Sequence, residues 1–306
     1  MHIYIIKRVL QTIPVIIFVT IITFMLIHIA PGDPALMRAG QDASQEQIEA
    51  IRESMGLNLP VHQQYYQWME GLFRGDLGFS LQDGRPVFPT LIRRMPATLL
   101  LVFFSFLVSI IIGVPIGVLS AVKRNSVVDS ISRILALLGL SMPNFWMALM
   151  LILVFSFHFQ LLPASGSGSL LHLIMPSIAL GLPSAGLITR LTRSSILEVL
   201  NEDYIRTAYS KGLKKQMVIY KHALKNALLP VVTIIGLQIG YRLGGSVVIE
   251  SVFAYPGIGR FAYRRMLARD YPMIMGNLLI FSFTFIFINL LTDILYGFLN
   301  PRIRFD

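Results

Sequence analysis

Residues Asn201–Pro230 read NEDYIRTAYSKGLKKQMVIYKHALKNALLP, a basic, helix-prone stretch set between two long apolar segments. Asn201 offers a side-chain oxygen for an N-cap. Glu202 and Asp203 place negative charge in the first turn, against the positive end of the helix dipole. Lys211 falls in the last turn, and Gly212 is placed to end the helix in a left-handed conformation. Tyr204, Ile205, Ala208 and Tyr209 share one face at helical spacing, while Arg206 and Ser210 point elsewhere. A second helix, about 214–228, carries Lys214, Lys221 and Lys225 along one stripe. Three uses are open to the amphipathic helix. It can sit in a groove of a soluble partner, pack against the protein's own helices, or lie on anionic lipid.

The composition around this stretch sets the solvent. The chain has 306 residues, 55% hydrophobic and 14% charged. A soluble domain carries about 25% charged residues, so much of this chain is built for lipid. The net charge is +10, but the basic residues flank apolar runs and form no basic domain, which argues against nucleic acid as a partner. The absence of cysteine excludes disulfides, thiolate catalysis and Cys-ligated metal sites.

A bilayer core takes about 20 apolar residues per helix. Six segments qualify: 9–30, 98–121, 131–158, 172–197, 227–250 and 276–299. The first has no small-residue cleavage site after a short core, so it reads as an uncleaved span. Kinks are expected at Pro115, Pro143 and Pro183. Lys7, Lys123, Lys211, Lys214, Lys215, Lys221 and Lys225 all fall on one side if both termini are cytoplasmic, and Arg124, Arg190, Arg193, Arg206, Arg302 and Arg304 join them. The segment 251–275 strains this topology, because its outer position would carry Arg260, Arg264, Arg265 and Arg269.

Three regions follow: 1–30, a tail and first span; 31–97, an external helical subdomain; and 98–306, a core of five further spans. Within 31–97, Pro31-Gly32-Asp33-Pro34 forms a turn, Ser44 caps a helix through Ser54 with Gly56 after it, and a second helix runs from Val61 to Arg74 and stops at Gly75.

Small residues recur every four positions in two spans, as Gly113, Gly117 and Ala121, and as Gly236, Gly240 and Gly244. Such stripes let helices approach closely, within one subunit or across a seam with a second. Gly244-Gly245 offers a hinge. Polar residues inside the spans are few. Gln238 and Arg242 lie in the fifth and Asn289 and Asp293 in the sixth, with Asn144 beside Pro143. A mid-membrane Arg costs about 2.5–3.5 kcal/mol on insertion scales and must face a partner or a wet cavity. Arg242 is therefore expected to pair with Asp293 or to line a solute path with Gln238, Asp293 and Asn144.

Motifs for chemistry are missing. No Gly-x4-Gly-Lys-Ser/Thr loop and no His-Glu-x-x-His helix occurs, so neither P-loop nucleotide binding nor that zinc chemistry belongs to this chain. No catalytic or metal-ligating set is visible. An intramembrane hydrolase would need a nucleophile and base inside the spans; His158 and His172, near Ser165 and Ser167, read instead as interfacial residues at span ends. A secondary transporter would show internal repeats and midplane ionisable groups, and no convincing repeat occurs.

Several motifs in order carry a resemblance. They are APGDP at Ala30–Pro34, MGLNLP at Met55–Pro60, GDLGFS at Gly75–Ser80, LPASG at Leu162–Gly166, DYIRTA at Asp203–Ala208, KGL at Lys211–Leu213, HALKNALLP at His222–Pro230, GGSVVIESVFAYPGIG at Gly244–Gly259, RDYP at Arg269–Pro272 and NPRIR at Asn300–Arg304. Together they resemble the permease subunits of ABC importers, in the dipeptide/oligopeptide/nickel group. Arg206-Thr207-Ala208 stands where the wider family has Glu-Ala-Ala.

The resemblance implies an all-α integral protein of the bacterial cytoplasmic membrane with six transmembrane helices. An external subdomain would sit between the first two and a cytoplasmic coupling helix between the fourth and fifth. Tyr204, Ile205, Arg206, Thr207, Ala208, Tyr209, Lys211 and Gly212 would then dock to an ATPase. It further implies two cytoplasmic ATPase subunits, which would hold ATP and magnesium, a second permease subunit, and an external solute-binding protein. The chain itself would need no cofactor and would pass a small peptide, or a solute such as a nickel chelate or glutathione, by alternating access.

Overall fold

The computed structural model describes residues 2–29, 33–40 and 43–299. The Ala30–Gly32 part of the expected turn, and Asn300–Arg304, lie outside them. Every described element of length is helical; an isolated bridge pairs Phe79 with Pro86.

Helix α1 (His2–Ile29) is followed by α2 (Pro34–Ala39), α3 (Gln45–Ser54), α4 (Val61–Phe73) and α5 (Val87–Ile92). Ser44 caps α3 as its sequence requires. Its hydroxyl accepts from the Gln47 amide, and the Gln47 side chain accepts from the Ser44 amide. Gly75 follows α4 at φ +76°, close to the expected stop. This region leans back on the helices. Tyr65 contacts the Thr20 hydroxyl at 2.9 Å and Phe24 edge-on, while Leu77, Val87 and Leu91 are buried with residues from the last two helices.

Helices α6 (Met95–Val122), α7 (Val127–Ser141), α8 (Asn144–Leu151) and α9 (Leu171–Val199) come next, α8 continuing as a π-helix over Ile152–His158. Helix α9 is the centre of the molecule and packs against α6, α7 and α8. The close approach of α6 is fixed by Gly117, where a Cβ would fall 2.6 Å from the Thr192 side chain and 2.7 Å from the Thr189 carbonyl. Gly113 meets Ala185 and Ile188 in the same way. The first small-residue stripe is thus a seam inside this chain.

The structure breaks the helix of the expected span 131–158 at Pro143. It is not one kinked helix: α7 and α8 meet at 108°. Pro143 removes the amide needed to continue, and it drives Met142 out of helical geometry to φ −77°, ψ 131°. Pro115 and Pro183, by contrast, sit inside continuous helices.

The chain ends with α10 (Asp203–Ser210), α11 (Lys215–Met217) leading through a π-helical turn (Val218–Ala223) into α12 (Leu224–Val252), then α13 (Ile258–Leu267) and α14 (Tyr271–Leu299). Helix α12 bends by 42° between Leu228 and Pro230, runs on through Gly244-Gly245, packs on α9, α6 and α14, and lies between α10 and α13 in the chain. Gly236 and Gly240 face Thr292 and Phe285 of α14, so most of the second stripe is also internal; Gly244 meets nothing within 4 Å. Among the described residues four helices are long and apolar enough to cross a membrane, and two bent pairs bring the number to six if each is one span.

Candidate functional site

The hairpin at 201–230 is built in two layers. Helix α10 starts one residue later than expected, with Glu202 at the N-cap; Asn201 instead turns back to donate to the Leu197 carbonyl at 2.9 Å. Its far end is a Schellman motif. The Leu213 amide donates to Ala208 at 3.4 Å, the Gly212 amide to Tyr209 at 2.9 Å, and Gly212 sits at φ +76° as the motif requires. Ile205 and Ala208 are buried against Val218 and Ala223 at the base of α12, with Leu213 beside them. The eight residues expected to act together are therefore divided. Ile205 and Ala208 anchor the helix to its own chain.

The other six face out: Tyr204, Arg206, Thr207, Tyr209, Lys211 and Gly212 are exposed. Tyr204 is also tied down, its hydroxyl accepting from Asn226 Nδ2 at 2.8 Å. Arg206 pairs with Asp203 at 3.4 Å, an exposed contact of little energetic weight. A rigid post thus presents two tyrosines and a mixed charged surface at one end of the molecule.

The buried polar residues group differently from the sequence expectation. Arg242 is 3% exposed and donates to two hydroxyls of α6, Ser105 at 3.3 Å and Ser109 at 2.8 Å. The ring of Phe106 lies 5.8 Å from its guanidinium, and among the described residues its Nε has no hydrogen-bond partner. The expected ion pair with Asp293 does not form; Asp293 instead meets Arg8 of α1 at 3.1 Å. Arg242, Gln238 and Asn144 do come together, around a cavity of about 200 Å³ shared with Ser184 and Gly245. Asn144 reaches it because α7 breaks just before it. Asp293 and Asn289 line a separate cavity of about 580 Å³ between α1, α12 and α14. Ser105 and Ser109 escaped notice in the sequence. Their signal was two hydroxyls spaced i, i+4 in an apolar span, which puts both on the face that meets Arg242.

Two further carboxylates are spent on structure. Glu250 accepts from the Thr98 hydroxyl at 2.6 Å and the Arg260 amide at 2.8 Å, joining α12 to α6 and α13. Asp270 accepts from Ser80 at 2.5 Å, Leu81 N at 3.0 Å and Arg265 at 3.0 Å, joining the 76–86 turn to the start of α14. Beside it, Asp83 receives Arg265 at 2.6 Å. Burial raises the Asp83 carboxyl, but the hydrogen bonds from Arg265 and Ser80 prevail and bring it down to about 2. Among the described residues no group of three His, Cys, Asp or Glu could hold a metal ion.

Residues 113–305 match the family described as binding-protein-dependent transport system inner membrane component, and residues 1–102 match the N-terminal region of such membrane components. The chain is 43% identical over 302 residues to the glutathione transport system permease protein GsiC of Pectobacterium atrosepticum, and 42% identical to GsiC of Escherichia coli K12; each match covers 99% of both chains. Among solved structures, an inward-facing MetNI methionine ABC transporter aligns with a TM-score of 0.58 at 20% identity, covering 69% of this chain and 96% of the other. An amino acid ABC transporter solved with histidines aligns at 0.53 and 17% identity, covering 70% and 94%. These two likenesses concern the fold.

Proposed function

This chain belongs to the binding-protein-dependent inner membrane components of ABC importers, in the dipeptide/oligopeptide/nickel group, and from that premise we propose a specific division of labour. The chain is a multi-pass permease subunit that crosses the membrane six times, each bent pair counting as one span, with both termini in the cytoplasm. The α10 end faces the cytoplasm, and the end bearing α3, α4 and α13 faces outward. Residues 31–97 form the outer subdomain, and 98–306 the core.

The observation that carries this reading is the build of α10. Ile205 and Ala208 lock it to the turn that leads into α12, so a push on exposed Tyr209, Arg206, Thr207 or Lys211 is passed to the foot of α12. A soluble ATPase pair docked there supplies the motion, holding ATP and magnesium in its own subunits. A second, related permease completes the pathway, and an external solute-binding protein delivers cargo. Closure and opening of the ATPases alternate the access of the path. Arg242, Gln238 and Asn144 face that path, and Asp293 lies beside the wider cavity. Glutathione, a peptide, is the cargo named for the relatives, and we assign this chain a short peptide or peptide-like solute with carboxylates that suit Arg242.

The test is uptake of labelled glutathione and of dipeptides into vesicles holding the assembled importer. Uptake should need ATP, both ATPase subunits and the binding protein. Uptake at full rate without the ATPase subunits would refute the reading.

A further inference from the structure

At the end of the molecule opposite α10, α13 and the 80–83 turn enclose a pocket of about 360 Å³. Arg94, Arg260, Arg264 and Arg265 line it, with Gln82 beside them. Their charges are unequally matched. Arg265 is neutralised, donating to Asp270 at 3.0 Å and to Asp83 at 2.6 Å. Arg94 lies over the Phe261 ring at 4.1 Å, and its Nε is buried with no hydrogen-bond partner among the described residues. Arg260 gives its guanidinium to the Ala254 carbonyl, a neutral acceptor. Burial, with the Arg264 charge next to it, holds Arg260 below the usual guanidinium range. Arg264 is exposed, and among the described residues none of these three makes an ion pair.

Three cations held together, partly withdrawn from water and without a counter-charge, repel one another in the free protein. An incoming carboxylate relieves that repulsion, and the planar fork of Arg suits its two oxygens. The pocket shares no lining residue with the cavity of Arg242 or that of Asp293, so it stands outside the inner chambers. Exposed Arg264 can be reached by a group carried on another protein's surface. Resting on the importer reading, we infer that this pocket receives an acidic side chain from the rim of the external solute-binding protein and registers it on the permease.

The test is ATP hydrolysis by the complete assembly in vesicles of neutral lipid, titrated with its purified, solute-loaded binding protein. Arg264→Glu should raise the half-maximal concentration about tenfold at low salt, with the gap closing as salt rises, and leave the plateau rate unchanged. Arg264→Lys, which keeps the charge and loses the fork, should fall between wild type and Arg264→Glu, and the Arg94→Gln, Arg264→Gln pair should shift in the same direction as Arg264→Glu. An unchanged half-maximal concentration in Arg264→Glu would overturn the inference. A lower plateau at unchanged half-maximal concentration would place the carboxylate on the solute, and a defect seen only with anionic lipid would place a phosphate there; either overturns it. Wild type that shows no stimulation by the binding protein would strike the importer reading instead.

Discussion

Arg193 grips Asp129 with a two-pronged contact, Nε to Oδ1 at 2.8 Å and the terminal nitrogen to Oδ2 at 2.9 Å. The Asp129 side chain has no exposed surface, and Ser120 at 2.6 Å and the Asn125 amide at 3.0 Å occupy its remaining lone pairs. One carboxylate therefore clamps α6, α7 and α9 near the end that bears α10. Removing one partner of such a pair leaves a buried charge alone, at a cost of about 3–5 kcal/mol. Asp129→Ala should lower the thermal midpoint of the detergent-purified protein accordingly, and an unchanged midpoint would show that the clamp contributes little.

The seam between α6 and α9 predicts a steric effect of similar kind. Gly117→Val would press on the Thr189 carbonyl, a backbone atom that cannot swing away. The expected loss is about 1–3 kcal/mol, seen as a lower unfolding midpoint. Gly244→Ala, which meets nothing within 4 Å, serves as the neutral comparison.

Arg242 offers a functional prediction. Arg242→Ala removes the guanidinium that lines the 200 Å³ cavity and should reduce uptake at least about tenfold; Arg242→Lys should keep part of it. Wild-type uptake in both variants would take Arg242 off the solute path.

Acid should loosen the outer turn. Asp83 titrates at about 2 in the folded protein, below its ordinary value of 3.8. The stabilisation from its Arg265 contact is thus fully present above about pH 4 and is lost as pH falls toward 2. Protection of the 76–86 amides, taken relative to their intrinsic exchange at each pH, should fall over that window in the wild type. Asp83→Asn should show one lowered protection throughout, and parallel protection curves for the two proteins would contradict this.

The local punctuation of the fold was open to reading. Ser44 with Gln47, Gly75 and Gly212 mark helix ends through their own side chains or φ angles, within a few residues of chain. The apolar runs marked the long helices, because lipid demands a minimum length. What could not be read is set by distant partners. Arg242 meets hydroxyls 133 and 137 residues away, and Arg193 meets Asp129 across 64 residues. No periodicity announces which polar residues of two spans will face each other. The break at Met142-Pro143 was visible only as a kink, because its 108° angle depends on α8 finding a place against α9 and α12. In α10 the spacing placed Tyr204, Ile205, Ala208 and Tyr209 on one face, but packing divides that set: Ile205 and Ala208 turn inward while both tyrosines remain outside.

Gly212 carries a sharper consequence. Proline there fixes φ near −65° against the observed +76° and removes the amide that donates to Tyr209. Gly212→Pro should abolish uptake while the protein still inserts and assembles in the membrane. Normal uptake would show that the Schellman end is dispensable.

The most direct test of force entering through α10 uses the absence of cysteine from the native chain. Tyr209→Cys creates a single thiol on the exposed face of α10, to be cross-linked in assembled vesicles during ATP turnover. The account predicts a bond to the ATPase subunit whose yield changes between nucleotide-free and ATP-bound states, with uptake lost once the bond forms. A thiol that never reaches the ATPase, or a bond that leaves uptake at its full rate, would contradict it.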